Sequence, residues 1–198
     1  MAPDDRRKAI IDVVVPLLLE HGSEVTTRQI AEAAGIAEGT IFRVFPDMAA
    51  LWTATAEQTL DPEVELAELH EALAGCTDLR TKLLRTADHL LERSQRVMAV
   101  MMLMRRVWMS RQHDGHDHKP GQPPAFIIEA NRALMAGLTE LFEPHRDELS
   151  VEPEVAASVL RTLVLGSRHP GAHADHLLTP DIVADVLLNG LLLPKGRD

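Results

Sequence analysis

Thr27, Arg28, Thr40 and Arg43 are the side chains best suited to grip a phosphate or a base edge, and they fall within one short stretch of the chain. An arginine fork matches both a phosphate and the O6/N7 edge of guanine, and a threonine hydroxyl can serve either target. Gly39 lets a backbone approach closely, and Glu38 and Phe42 flank this set. Histidine offers a second chemistry. His113, His116 and His118 alternate with Asp114 and Asp117, and His169, His173 and His176 form another group. Imidazole and carboxylate at such spacings are ligands for zinc, nickel or a related ion. The same composition also describes a polar loop, which fixes no ligand geometry. No metal is therefore assigned, and the three histidines near 113–118 stay as candidates for an alternative, metal-responsive reading. A more remote alternative is a metal-dependent helical enzyme. Paired Glu-x-x-His motifs, a Gly-rich phosphate loop and a nucleophile elbow are all missing from the sequence. Neither catalysis nor a cofactor is expected.

The elements that must position these groups read as helices. Apolar residues make up 45% of the 198, but aromatics only 3%, and tyrosine is absent; strands favour aromatic and β-branched residues, so the balance leans to helix. A first helix is expected from Asp5 to His21, with Ile10, Val13, Val14, Leu17 and Leu18 on one face and Pro16 as an internal difficulty. A second starts at Thr26 or Thr27, where Thr26 and Gln29 have capping-box spacing, and Gly35 ends it. A third covers Glu38 to Val44. Asp47 caps a fourth, Met48 to Thr59, which Asp61-Pro62 breaks. Further helices are expected over Glu63–Ala74, Asp78–Arg93, Gln95–Gln112 (with Ser94 as its cap), Phe126–Phe142, Glu152–Ser167 and Pro180–Leu193, the last with Thr179 at its N-cap. The segments 113–124 and 168–178 read as loops.

The net charge is −10, and residues 1–52 hold eight acids against five bases. Any phosphate contact must therefore come from a local arrangement, because no basic field exists to supply it. Cys76 is the single cysteine, so no intrachain disulfide is possible. The N-terminus is polar and acidic, and no apolar run reaches the ~18 residues of a membrane span. A cytoplasmic protein with no membrane association is expected.

Three short helices, the last two joined by a glycine-containing turn, form a helix-turn-helix pattern. Its second helix would enter the major groove of double-stranded DNA. Thr27 and Arg28, at the positive end of the preceding helix, suit phosphates. The run TTRQIAEAAGIAEGTIFRVFPD, Thr26 to Asp47, resembles the N-terminal signature of the TetR family of transcriptional repressors: threonines, then I-A-x-x-A-G, then G-T-hydrophobic-aromatic-x-x-F. The resemblance implies a phosphate contact at Thr27 and a recognition helix carrying Gly39, Thr40, Phe42 and Arg43. It also implies packing roles for Ile30, Ala31, Ala34, Ile36, Ile41 and Phe45. Three positions depart from the pattern. Phe42 stands where tyrosine is usual, Ala37 where serine is frequent, and Met48 where a lysine commonly follows Phe-Pro-Asp. Each removes a polar helper.

The resemblance further implies an all-α fold. Residues 1–46 would be a three-helix DNA-binding domain, and 47–198 a helical bundle for effector binding and dimerisation, with 47–60 as a linking helix. Its last two helices would pair across a two-fold axis, giving a homodimer through Val155, Val159, Leu163, Ile182, Val183, Val186 and Leu187. A dimer also suits a palindromic operator. The methionine-rich stretch reads either as ordinary core or, since methionine is adaptable, as the lining of a cavity for a small effector. Leu90, Met98, Met101, Met102, Arg105, Trp108, Phe126 and Ile127 are the candidate lining for a mainly hydrophobic molecule.

Overall fold

The computed structural model describes residues 3–111, 123–167 and 178–191, and among these the chain is helical, with no β-strand. The candidate ligands His113, His116, His118, His169, His173 and His176 lie outside the described residues. Tertiary packing divides the chain into two compact units. The first holds residues 1–61 and 95–127, and the second 62–94 and 128–198. The units change at 61/62, 94/95 and 127/128, and none of these is the 46/47 division expected from the sequence.

The first unit begins with α1 (Pro3–His21), α2 (Thr27–Ala33), α3 (Glu38–Val44) and α4 (Met48–Thr59). Local chemistry sets most of these boundaries. Thr26 caps α2 in a complete capping box: it accepts from Gln29 N, and its own N–H donates to Gln29 Oε1 at 2.9 Å. Gly35 takes φ +65°, a conformation glycine enters without the Cβ penalty, and so turns the chain out of α2. Ala37 stands at the N-cap of α3 in extended conformation and supplies no side-chain cap. Asp47 caps α4, accepting from Ala50 N at 2.7 Å. Pro16 lies inside α1 and is exposed; it has no N–H to give to Asp12. Asp12 itself is held by Lys8 at 2.8 Å and by Gln58 at 2.7 Å. The hydrogen bond from the Lys8 ammonium keeps its carboxyl below the usual carboxylate range. The core of this unit gathers Ile10, Ile11, Val14, Leu18, Ile30, Ala31, Ile41, Phe45 and Leu51, joined by Val100, Leu103 and Met104.

The second unit contains α5 (Pro62–Leu73), the first part of α6 (Leu79–Arg111), most of α7 (Ala125–Phe142), a 3-10 segment at Glu143–Glu148, α8 (Pro153–Ser167) and α9 (Pro180–Leu191). Where two helices were expected around Ser94, α6 runs on without a break. Ser94 is buried and its hydroxyl donates back to the Leu91 carbonyl at 2.7 Å. That back-bond satisfies the hydroxyl inside a helix, so it caps nothing. The second unit's core is formed by Leu69, Leu83, Ala87, Leu90, Leu138, Phe142, Leu160, Val183 and Leu187, among others. Gly137 allows α5 to come close, since a Cβ there would meet Leu66 Cδ2 at 2.7 Å. Thr179 Oγ1 accepts from Ile182 N at 3.4 Å at the start of α9.

Two substitutions test these assignments. Pro16→Ala restores one backbone hydrogen bond at an exposed position and is expected to stabilise the protein by roughly 1–3 kcal/mol. A lower denaturant midpoint would contradict that. Ala37→Ser supplies the missing cap of α3 and should add ~1 kcal/mol in the same measurement.

Candidate nucleic-acid interface

α3 is seven residues long and shows two different faces. Ile41 and Phe45 are fully buried, and Val44 is half-buried. Glu38, Gly39, Phe42 and Arg43 point outward, with Thr40 half-buried beside them. Phe42 is 50% exposed on this outward face, beside Arg43. The Arg7 guanidinium lies 4.6 Å from the centre of the Phe45 ring and so ties α1 to the end of α3.

α2 packs against α3, and both pack against α1. The turn 34–37 is stitched by Ile36 N to Ala31 O at 2.9 Å and Thr40 N to Ala37 O at 2.8 Å. The two helices and this turn make a helix-turn-helix, with α3 as its second helix. Thr27, the first residue of α2, is half-buried, and Arg28 is exposed. Thr27 Oγ1 donates to Glu38 Oε1, across the gap between the starts of α2 and α3. Thus Thr27, Arg28, Glu38, Gly39, Thr40, Phe42 and Arg43 all belong to one unit. The Thr27–Glu38 bond was not foreseen; its only sequence signal is an acid placed at the first position of α3.

The residues suggested for the effector divide between the two units. Leu90 is buried in the second unit's core. Met101 and Phe126 pack against the core of the first, and Ile127 and Met98 are half-buried. Met102 is 56% exposed and Arg105 is exposed. The Trp108 side chain lies outside the described residues. The methionine-rich part of α6 therefore belongs with the helix-turn-helix unit.

Sequence reasoning also missed a polar cluster in the second unit. Glu65 is buried and ion-paired with Arg93 Nε, and Arg93 Nη1 lies 3.8 Å from Glu68 Oε2; His89 Nε2 sits 3.4 Å from Glu65 Oε1. Nearby in sequence on α6, the Thr86 hydroxyl is buried with no partner among the described residues. The signal was present: Glu65 shares the inward stripe with Leu69, and Thr86 and Arg93 share that of Leu83 and Leu90.

On the outer surface, α8 and α9 pack together. Val155, Ile182 and Val186 are exposed, and Val159 and Leu163 are half-buried. Val183 and Leu187, expected at a subunit interface, instead belong to the unit's own core and are fully buried there. Helical phase explains the correction: residues 183 and 187 share one face of α9, and 182 and 186 share the next.

Among the described residues no helix is long and apolar enough to cross a membrane, and no group of three or more His, Cys, Asp or Glu side chains is arranged to hold a metal.

No curated protein sequence matches the chain. Solved structures do. Escherichia coli NemR in its reduced form is 18% identical at TM-score 0.66, over 96% of this chain and 98% of that one. NalD of Pseudomonas aeruginosa, the secondary repressor of the MexAB-OprM multidrug efflux pump, is 25% identical at TM-score 0.52, over 98% and 100%. SmeT, the repressor of the Stenotrophomonas maltophilia efflux pump SmeDEF, is 19% identical at TM-score 0.58, over 95% and 91%, and has also been solved with triclosan. Residues 10–55, which run from α1 through the helix-turn-helix into α4, match the profile of bacterial regulatory proteins of the tetR family. The match spans 46 of the 198 residues, so it is the helix-turn-helix segment of the chain that is similar to that family.

Proposed function

We propose that this protein is a repressor that binds a palindromic operator as a homodimer and is released by a small, mainly hydrophobic effector in the cytoplasm. The observation that carries the reading is α3, whose inward residues are locked into a core while Gly39, Phe42 and Arg43 stand clear with Thr40 beside them. Arg43 then reads a guanine edge or holds a phosphate, and Thr27 and Arg28 grip the backbone. Residues 1–46 serve as the DNA-binding domain, 47–198 as the effector and dimerisation part, and α4 links them. NalD and SmeT are repressors, and SmeT accepts triclosan; both facts favour repression relieved by a small molecule here.

The apolar surface of α8 and α9 supports the dimer. Val155, Ile182 and Val186 are each at least 44% exposed and gain by being covered. Two recognition helices spaced by about one DNA turn, ~34–36 Å, then match two half-sites. Met98 and Met101 are proposed to touch the effector. Because Met101 packs on the same core that seats Ile41 and Phe45, an effector binding there bears directly on α3. An effector that prefers a state with wrongly placed recognition helices shifts the population off DNA.

Gel shifts with DNA upstream of the protein's own and neighbouring genes test the reading; no specific band at low salt with any such fragment overturns it. Arg43→Ala should weaken operator binding by about 1–3 kcal/mol while the protein still sediments as a dimer. Val186→Glu places a charge in the proposed interface and should shift the sedimenting species to monomer without unfolding it, since Val186 is exposed within the subunit. An unchanged dimer would exclude this face.

A further inference from the structure

Thr27 and Glu38 are the first residues of α2 and α3, and the turn between these helices sets them side by side, with Thr27 Oγ1 donating to Glu38 Oε1. A threonine hydroxyl has one hydrogen to give. While Glu38 holds it, a DNA phosphate cannot. Thr26 offers no substitute, because its hydroxyl donates to Gln29 Oε1 at 2.9 Å and accepts from Gln29 N at 3.3 Å. Glu38 is also the only acid on α3, exposed on the same side as Gly39, Phe42 and Arg43. An ionised carboxylate only accepts, and it is repelled by phosphates. The base-edge group that suits it in the major groove is the amino group of cytosine.

We infer that Glu38 is a specificity-determining residue, which frees the Thr27 hydroxyl for a phosphate only where the operator offers a cytosine amino group as a replacement donor. This rests on the DNA-binding reading above. On a matching sequence one bond is exchanged for two: cytosine N4–H to Glu38, and Thr27 O–H to phosphate. On any other sequence Thr27 stays turned away, or Glu38 faces the DNA without a donor. Both outcomes penalise the wrong site more than they reward the right one. A purely structural role makes a different demand. If the bond only tethers the uncapped start of α3, losing it lowers thermal stability and leaves base preference alone.

The test is selection from a pool of duplexes randomised over the site, using the full chain and its Glu38→Ala, Glu38→Gln and Glu38→Ala/Thr27→Val variants. Titration of the selected duplex and a scrambled one follows, with thermal melting as the folding control. Wild-type winners should share a cytosine at one position of each half-site. Glu38→Ala should lose that preference alone and bind the scrambled duplex about tenfold more tightly. Adding Thr27→Val should take back most of the gain, which removal of a charge alone does not predict. Glu38→Gln should move the preference from cytosine towards adenine, the base that a glutamine amide pairs. Scrambled-duplex affinity unchanged in Glu38→Ala, a retained cytosine, or an equal loss on all sequences overturns the inference and leaves the DNA-binding reading intact. If the wild type enriches no sequence, the DNA-binding reading falls and this inference with it.

Discussion

Ile41 and Phe45 hold α3 in place. Helices shorter than ~12–15 residues are marginal on their own, and α3 has seven. It also lacks a side-chain cap at Ala37. Its helical state must therefore come from packing, and the two fully buried residues four apart supply it. They meet Ile10, Val14 and Ile30 in one core. Burying positions 41 and 45 leaves positions 38, 39, 42 and 43 facing out, because a helix cannot hide one face without presenting the other. The orientation of every candidate DNA contact on α3 follows from that constraint.

Local chemistry was the legible part of the sequence. The Thr26–Gln29 capping box, the left-handed Gly35, the Asp47 cap and the Thr179-Pro180 start each act within a few residues, and the helices around them begin and end accordingly. Helix phase was equally readable near α3, where Ile41 and Phe45 stand four residues apart on one face. Ser94 shows where such reading stops. A serine before a helical run is the same letter whether it caps or bonds backward, and only burial and the Leu91 carbonyl decide between them. The buried Glu65–Arg93 pair was missed for a related reason. A charged residue on an inward stripe looks like a flaw in the pattern until its partner, on another helix, is known.

The same lesson alters the meaning of the methionine-rich segment. Its composition suggested a pocket in a separate C-terminal bundle. Instead Val100, Leu103 and Met104 complete the core that seats the helix-turn-helix. Sequence periodicity identifies an apolar face but not which core receives it. The structural outcome shortens the physical route required of an effector. On the proposed reading, a molecule that displaces Met101 disturbs the core that also holds Ile41 and Phe45, so no long relay is needed for a coupling of ordinary size, about 1–3 kcal/mol.

The acidic charge acquires a sense at this point. A chain at −10 gains little from phosphate attraction, and it carries Phe42 and Met48 where the family pattern it resembles has a tyrosine and a lysine. Low affinity for arbitrary DNA need not be a defect. A regulator competes against about 10⁶–10⁹ non-specific sites, so what matters is the ratio of affinities and not their absolute size. A surface that repels DNA in general, and grips it only where several short-range contacts form together, raises that ratio. The carboxylate of Glu38 in the middle of the outward face follows the same logic on the scale of one hydrogen bond. On the inference drawn above, it withholds a phosphate contact that every sequence could otherwise use.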